Sequence, residues 1–168
     1  MWRDPNLHPL SHQHQHGLAL SVLIERGLKA DPSAEKADEL ANKVTVTWEV
    51  ELQGHFRVEE EVLFPAVKPV LASGAIVEEL IEQHRQMEAL IGKIGEAAGP
   101  ARIGLLTEFG QLLSKHIRIE ERQLFEEIQA RLPEEKMAAL GEQIDKTVQR
   151  VCPTTGKLPW EEPGAAKP

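Results

Sequence analysis

The chain has 168 residues, enough for one domain with a sizeable core, and its 27 acidic against 19 basic residues give a formal charge of -8. That charge repels phosphate backbones and anionic lipid surfaces, so neither nucleic acid nor membrane is an expected partner. A single cysteine, Cys152, excludes an internal disulfide and the lack of tyrosine excludes a tyrosyl radical; with no signal-like or spanning apolar run, the cytoplasm is the expected compartment.

Pro9 and Ser11 predict the start of a first helix, which apolar residues from Leu18 to Leu28 continue as far as Gly27 and the Asp31-Pro32 step. Asp31 is the expected cap of a second helix, with Pro32 at its first position, running through Trp48, Leu52, His55, Glu59 and Leu63 towards Pro65. The β-branched run from Val44 to Thr47 weakens helix propensity, but the spacing around it stays helical and the helix is read as continuous. After a connection rich in Pro and Gly, the residues Val77, Leu80, Ile81, His84, Met87, Ile91 and Ile94 define a third helix, with His84 on its apolar stripe. Gly99-Pro100 stops it, and Ile103, Leu106, Leu113, His116, Ile117, Glu120, Leu124 and Ile128 define a fourth. Pro133 opens a shorter helix to about Arg150. The expected organisation is therefore all-α, with one helical bundle over residues 1–150 and an extended or disordered tail over 151–168.

The strongest signal is a repeat: HFRVEEEVLF at 55–64 returns as HIRIEERQLF at 116–125. Residues four apart lie on one helical face, so each copy aims an imidazole and a carboxylate at a shared point: His55 with Glu59, and His116 with Glu120. An unpaired buried carboxylate costs several kcal/mol or neutralises by a pKa shift, and here two of them sit on seam positions. Two such pairs on facing helices can hold two metal ions, with bridging carboxylates and terminal imidazoles. The competing reading is a bundle whose His and Glu groups satisfy one another by hydrogen bonds. Glu60 and Glu121 fall about 100° away around the helix and are expected to be solvated or supporting groups whose replacement costs little.

His84 alone would read as a core histidine, but its place between two helices that each carry a His/Glu pair makes it a ligand candidate. The first helix offers His12, His14 and His16, and His14 points about 200° away from the other two. Periodicity favours His16, with Leu20 and Leu23 above it. His14 instead has Gly17, Leu18 and Ser21 above it, a set read as leaving room for a metal, and spacing leaves the choice open. His8 and the unused histidines are expected in solvent.

The order PLSHQHQHGL at 9–18, HFRVEEEVLFP at 55–65, EQH at 82–84 and HIRIEERQLF at 116–125 resembles the bacterial hemerythrin-like, or HHE cation-binding, domains over about residues 7–130. The resemblance implies an antiparallel up-down four-helix bundle around a non-haem di-iron centre, with the additional short C-terminal helix appended. Its register selects His14 as the first-helix ligand, three positions after Ser11. The metal set is then His14, His55, Glu59, His84, His116 and Glu120, holding two iron ions under an oxo or hydroxo bridge. The pattern departs from the five-histidine oxygen carriers: Leu80 stands one turn before His84, and Glu121 stands where those proteins place an Asp. Reversible oxygen storage is accordingly not expected.

With two imidazoles, two carboxylate oxygens and the bridge, each iron keeps an open position for a diatomic ligand or peroxide. Leu52, Leu63, Phe64, Met87, Leu113 and Phe125 are the expected apolar surround. The function expected is binding or reduction of oxygen, peroxide or nitric oxide in oxidative or nitrosative stress. The alternative is a noncatalytic iron or oxygen sensor, a metal-binding regulatory module acting through a protein partner.

Overall fold

The computed structural model describes residues 2–152 and 157–161. Asp4 caps a 3-10 turn, Pro5–Leu7, by accepting from the Asn6 amide, and this turn runs directly into α1, His8–Ala30. The helix begins upstream of the expected Pro9/Ser11 start because Asp4 and Pro5 supply an earlier nucleus. Asp31 does not cap the next helix as expected. Its amide is committed to the end of α1 through the Gly27 carbonyl, and its carboxylate accepts from the Ser33 amide at 3.1 Å. Ser33 is the cap, accepting from the Lys36 amide at 3.2 Å, and Pro32 stays outside the helix.

Helix α2 spans 34–67 as one rod: Ala34–Thr47, Gln53–Val58 and Phe64–Val67 are joined by π-turns at Trp48–Leu52 and Glu59–Leu63. The β-branched run stays helical. α3 is Ala75–Glu96. Gly99 then turns the chain with φ 56°, a left-handed conformation that costs a side-chain-bearing residue about 1–2 kcal/mol. α4 spans 99–131, with a π-turn Glu120–Leu124 between Gly99–Ile119 and Phe125–Arg131, and α5 is Glu134–Val151. Among the described residues there is no strand, and α1 to α4 form the antiparallel up-down bundle that the sequence resemblance implied.

The bundle has two apolar cores rather than one. Leu20, Ile24, Leu40, Met87, Leu106 and Phe109 belong to the first, and Leu7, Leu10, Leu63, Phe64, Leu80 and Phe125 to the second. Along α1 to α4 the candidate ligand histidines and glutamates lie where the two cores meet, so a polar layer divides the apolar interior.

Helix α5 closes the second core with Met137, Leu140, Ile144 and Val148. Two glycines let it approach closely. A Cβ at Gly141 would collide with the Asn6 side chain, and one at Gly54 would lie 2.8 Å from both the Val151 carbonyl oxygen and Cys152 Cβ. Of the expected tail over 151–168, residues 153–156 and 162–168 lie outside the described residues. Pro159–Glu161 forms a 3-10 turn whose Trp160 packs against the first core. No helix among the described residues is long and apolar enough to cross a membrane.

Candidate metal centre

Four helices bring His14, His55, Glu59, His84, His116 and Glu120 together in the polar layer, each no more than 2 % exposed. They form two groups of four: His14, His55, Glu59 and Glu120, and Glu59, His84, His116 and Glu120. In each group, one ligand atom per residue lies within 4.8 Å of all the others. The groups share both glutamates. Glu59 turns Oε1 to His55 Nε2 at 3.0 Å and His14 Nε2 at 3.6 Å, and Oε2 to His84 Nε2 at 3.3 Å. Glu120 Oε2 lies 3.1 Å from His14 Nε2 and 3.3 Å from His116 Nε2. Both glutamates open π-turns, closed by Phe64 N–H to the Glu59 carbonyl and Phe125 N–H to the Glu120 carbonyl. Such local widening is common where helices build functional sites.

A second ring of bonds orients the imidazoles. His14 Nδ1 donates to Glu121 Oε1 at 2.6 Å, His55 Nδ1 to Gln13 Oε1 at 2.8 Å, His84 Nδ1 to Glu60 Oε1 at 2.8 Å and His116 Nδ1 to Gln83 Oε1 at 3.0 Å. With Nδ1 as donor outward, every Nε2 faces the shared glutamates, the arrangement in which imidazole binds metal. Glu121 is in turn held by Ser11 Oγ at 2.7 Å and by Arg3, whose guanidinium lies 4.9 Å over the Phe125 ring. Arg85 holds Glu60.

Glu60 and Glu121 are therefore supporting rather than solvated groups, and the small cost expected for their replacement does not follow. Each reaches across to an imidazole on a neighbouring helix, and replacing such a partner typically weakens metal affinity about 10–100-fold. Gln13 and Gln83 were missed by the sequence reading. Their signal was present: a Gln-His doublet occurs at 13–14 and at 83–84, and a Glu-Glu doublet ends each His-x-x-x-Glu.

All four side-chain oxygens of Glu59 and Glu120 are buried without a hydrogen-bond partner. Buried carboxylates need compensation by cations or protons. Burial alone would raise the Glu59 carboxyl, but His55, His14 and His84 hold it well below the usual carboxylate range. Burial and the neighbouring Glu59 raise Glu120, and His116 and His14 reverse this to a net lowering. Burial opposes charge on His14, yet Glu120, Glu121 and Glu59 raise it well above its ordinary value. His84 follows the same balance, burial against Glu59 and Glu60, and ends at about 9. Protons on the imidazoles thus stand where cations would, and the donor set of imidazoles and carboxylates fits metal binding, with both glutamates common to the two groups.

The expected apolar surround is buried throughout: Leu52, Leu63, Phe64, Met87, Leu113 and Phe125 are all at 2 % exposure or less. Phe56, which the sequence reading did not single out, stacks on His84 with ring centroids 3.9 Å apart, and Phe125 stacks on His14 at 5.5 Å. A cleft of about 220 Å³ opens beside His84, bordered by Trp48, Phe56, Glu60 and Arg85.

In α1 the structure brings His14 into the layer and leaves His16 outside it. His16 is nonetheless buried, with Nδ1 2.9 Å from Glu51 Oε2, while His12 packs edge-on against it at 4.8 Å. His8 is exposed. His14→Ala should lower metal content, whereas His16→Ala should leave it intact and destabilise the fold by about 1–3 kcal/mol by orphaning Glu51. Elemental analysis and thermal melts of the two variants separate these roles, and metal loss in His16→Ala alone would reverse the assignment.

A helical bundle whose apolar interior is divided by a layer of buried histidines and shared glutamates is the architecture of a bundle metalloprotein. The family model of the hemerythrin HHE cation binding domain matches residues 6–128, with a second, overlapping match over 75–146, and the chain belongs to that family. Comparison with curated proteins and with solved structures finds no match.

Proposed function

We propose that the protein is a non-haem di-iron protein that binds or reduces oxygen, peroxide or nitric oxide under oxidative or nitrosative stress. The observation that carries this reading is the sharing of Glu59 and Glu120 between two ligand groups while their four oxygens lack any other partner. Two irons bound there would supply electrons and open positions for a small ligand. The chain's own residues do the rest. His14 and His55 would hold one metal position and His84 and His116 the other, with Glu59 and Glu120 contributing to both. Glu60, Glu121, Gln13 and Gln83 hold the Nδ1 protons so that the metal-facing nitrogens keep their lone pairs. Phe56, Phe125, Met87 and Leu113 keep bulk water from the layer, and the cleft beside His84 gives a small ligand a short approach.

Anaerobic iron loading followed by elemental analysis, then optical spectra with oxygen, peroxide and nitric oxide in turn, tests the proposal. At most one tightly bound ion per chain removes the dinuclear centre, and no spectral response to any of the three removes the ligand class. Leu80, fully buried one turn before His84, adds no imidazole to the set. Cycling the reduced, loaded protein between oxygen and argon should therefore end in oxidised protein. A spectrum that returns repeatedly to the reduced form would make it a carrier instead.

A further inference from the structure

The polar layer has an approximate twofold pattern, broken at one point. In each half a glutamine accepts from a ligand imidazole, Gln13 from His55 and Gln83 from His116. Gln83 Nε2 donates to Glu79 Oε1 at 2.9 Å, one turn away on its own helix. Gln13 Nε2 instead reaches the end of α5, donating to Cys152 Sγ at 3.1 Å and to the Cys152 carbonyl oxygen at 3.3 Å. Gln13 is 1 % exposed and Cys152 is 1 % exposed, so no solvent competes for these bonds.

We infer that Cys152 is a positioning residue for the candidate metal centre: the end of α5 sets the Gln13 amide, and through it the acceptor that His55 Nδ1 meets. The inference rests on the dinuclear reading for its metal readout but not for its amide-exchange readout. The argument turns on what each atom can do. A peptide carbonyl only accepts, so it draws the amide NH2 of Gln13 towards Cys152. The amide oxygen must then face His55, where it accepts the Nδ1 proton and leaves Nε2 free to bind a cation. In the other half, the Glu79 carboxylate does the same for Gln83 from within α3. The His84/His116 position is therefore independent of α5, and the His14/His55 position depends on it.

Gly54, beside His55 in sequence, is what lets Val151 and Cys152 come so close. A methyl group there would meet the Val151 carbonyl oxygen at 2.8 Å, which is backbone and must move as a whole. Burial also pushes the Cys152 thiol up, which keeps it neutral and leaves its part in the contact to hydrogen bonding.

Zinc titration of the full chain, followed by histidine and glutamine side-chain 15N NMR, tests the inference with Gly54→Ala, Gln13→Leu and Gln83→Leu. Alanine favours the helix, so Gly54→Ala should fold while shifting the end of α5. Expected results are a weakening of about 10–100-fold at the His14/His55 position in Gly54→Ala and Gln13→Leu, with His84 and His116 responding to zinc as in the wild type. Gln83→Leu should show the reverse. In metal-free protein, the Gln13 side-chain NH2 protons should exchange slowly with solvent in the wild type and faster in Gly54→Ala, while those of Gln83 stay unchanged. Unchanged Gln13 NH2 exchange in Gly54→Ala overturns the inference, as does equal weakening at both positions. Wild-type protein that takes up fewer than two zinc ions counts against the dinuclear reading, and the amide-exchange result then decides the positioning role alone.

Discussion

Glu59→Gln and Glu120→Gln should each reduce the metal content after anaerobic iron loading from two ions per chain to one or none. Glutamine keeps the size of the side chain but replaces two anionic oxygens with one neutral oxygen and an NH2 donor, which repels a cation. Because each glutamate belongs to both ligand groups, its loss removes a donor and a charge from both positions at once. Glu60→Gln and Glu121→Gln should differ in kind. These carboxylates bond to Nδ1 from behind, at 2.8 Å to His84 and 2.6 Å to His14, so their loss should weaken affinity about 10–100-fold and leave two ions bound when metal is in excess. Elemental analysis at limiting and at saturating iron separates the two patterns. Equal stoichiometric loss at all four positions would sink the distinction between shared and supporting glutamates.

Chelation of the metal should lower thermal stability, and the difference between loaded and metal-free protein should widen as pH rises. A ligand at a thousand times its Kd stabilises the fold by about 4 kcal/mol. For a chain of this size that corresponds to roughly 8–16 °C in Tm at about 2–4 °C per kcal/mol. The pH dependence follows from the groups already named. His14 and His84 are raised in the metal-free fold, so their contribution is fully present below an unfolded value of about 6.5. For His84 it is lost as pH rises through about 9. Glu59 and Glu120 are lowered, so their contribution is present above the unfolded carboxylate value and disappears on acidification. Metal-free protein should thus lose stability between about pH 6.5 and 9. Metal binding, which must displace the imidazole protons, gains affinity over the same interval. Melts of both forms at several pH values check this. A metal-induced Tm shift independent of pH would contradict the proton balance of the layer.

Local geometry explains why so much of the site was legible. An i, i+4 relation is a property of a single helix, so His55 with Glu59 and His116 with Glu120 point together wherever the helices pack. The choice between His14 and His16 was not local. Both side chains are buried, on faces about 200° apart, because α1 finds acids on both sides: the buried shared glutamates and the partly buried Glu121 for His14, and the buried Glu51 for His16. Hydrophobic periodicity cannot separate two polar residues that both lie inside, and only the family register pointed to His14. Helical angles likewise placed Glu60 and Glu121 off the seam, but each bonds to an imidazole on another helix.

By itself, then, the sequence determined the four bundle helices, the doubled His-x-x-x-Glu and the inward place of His84, because caps, breakers and periodicity act within a few residues of one another. It misplaced the start of α1 and the cap of α2 by a few positions, where competing local signals lay side by side. Tertiary structure alone decided that Glu59 and Glu120 meet between two cores, that Gln13, Gln83, Glu60 and Glu121 hold the imidazoles, and that α5 reaches His55 through Gln13. Each of these depends on residues far apart in the chain arriving within hydrogen-bond distance. That arrival is set by how apolar faces pack and by two glycines, Gly54 and Gly141, whose missing side chains let α5 come close.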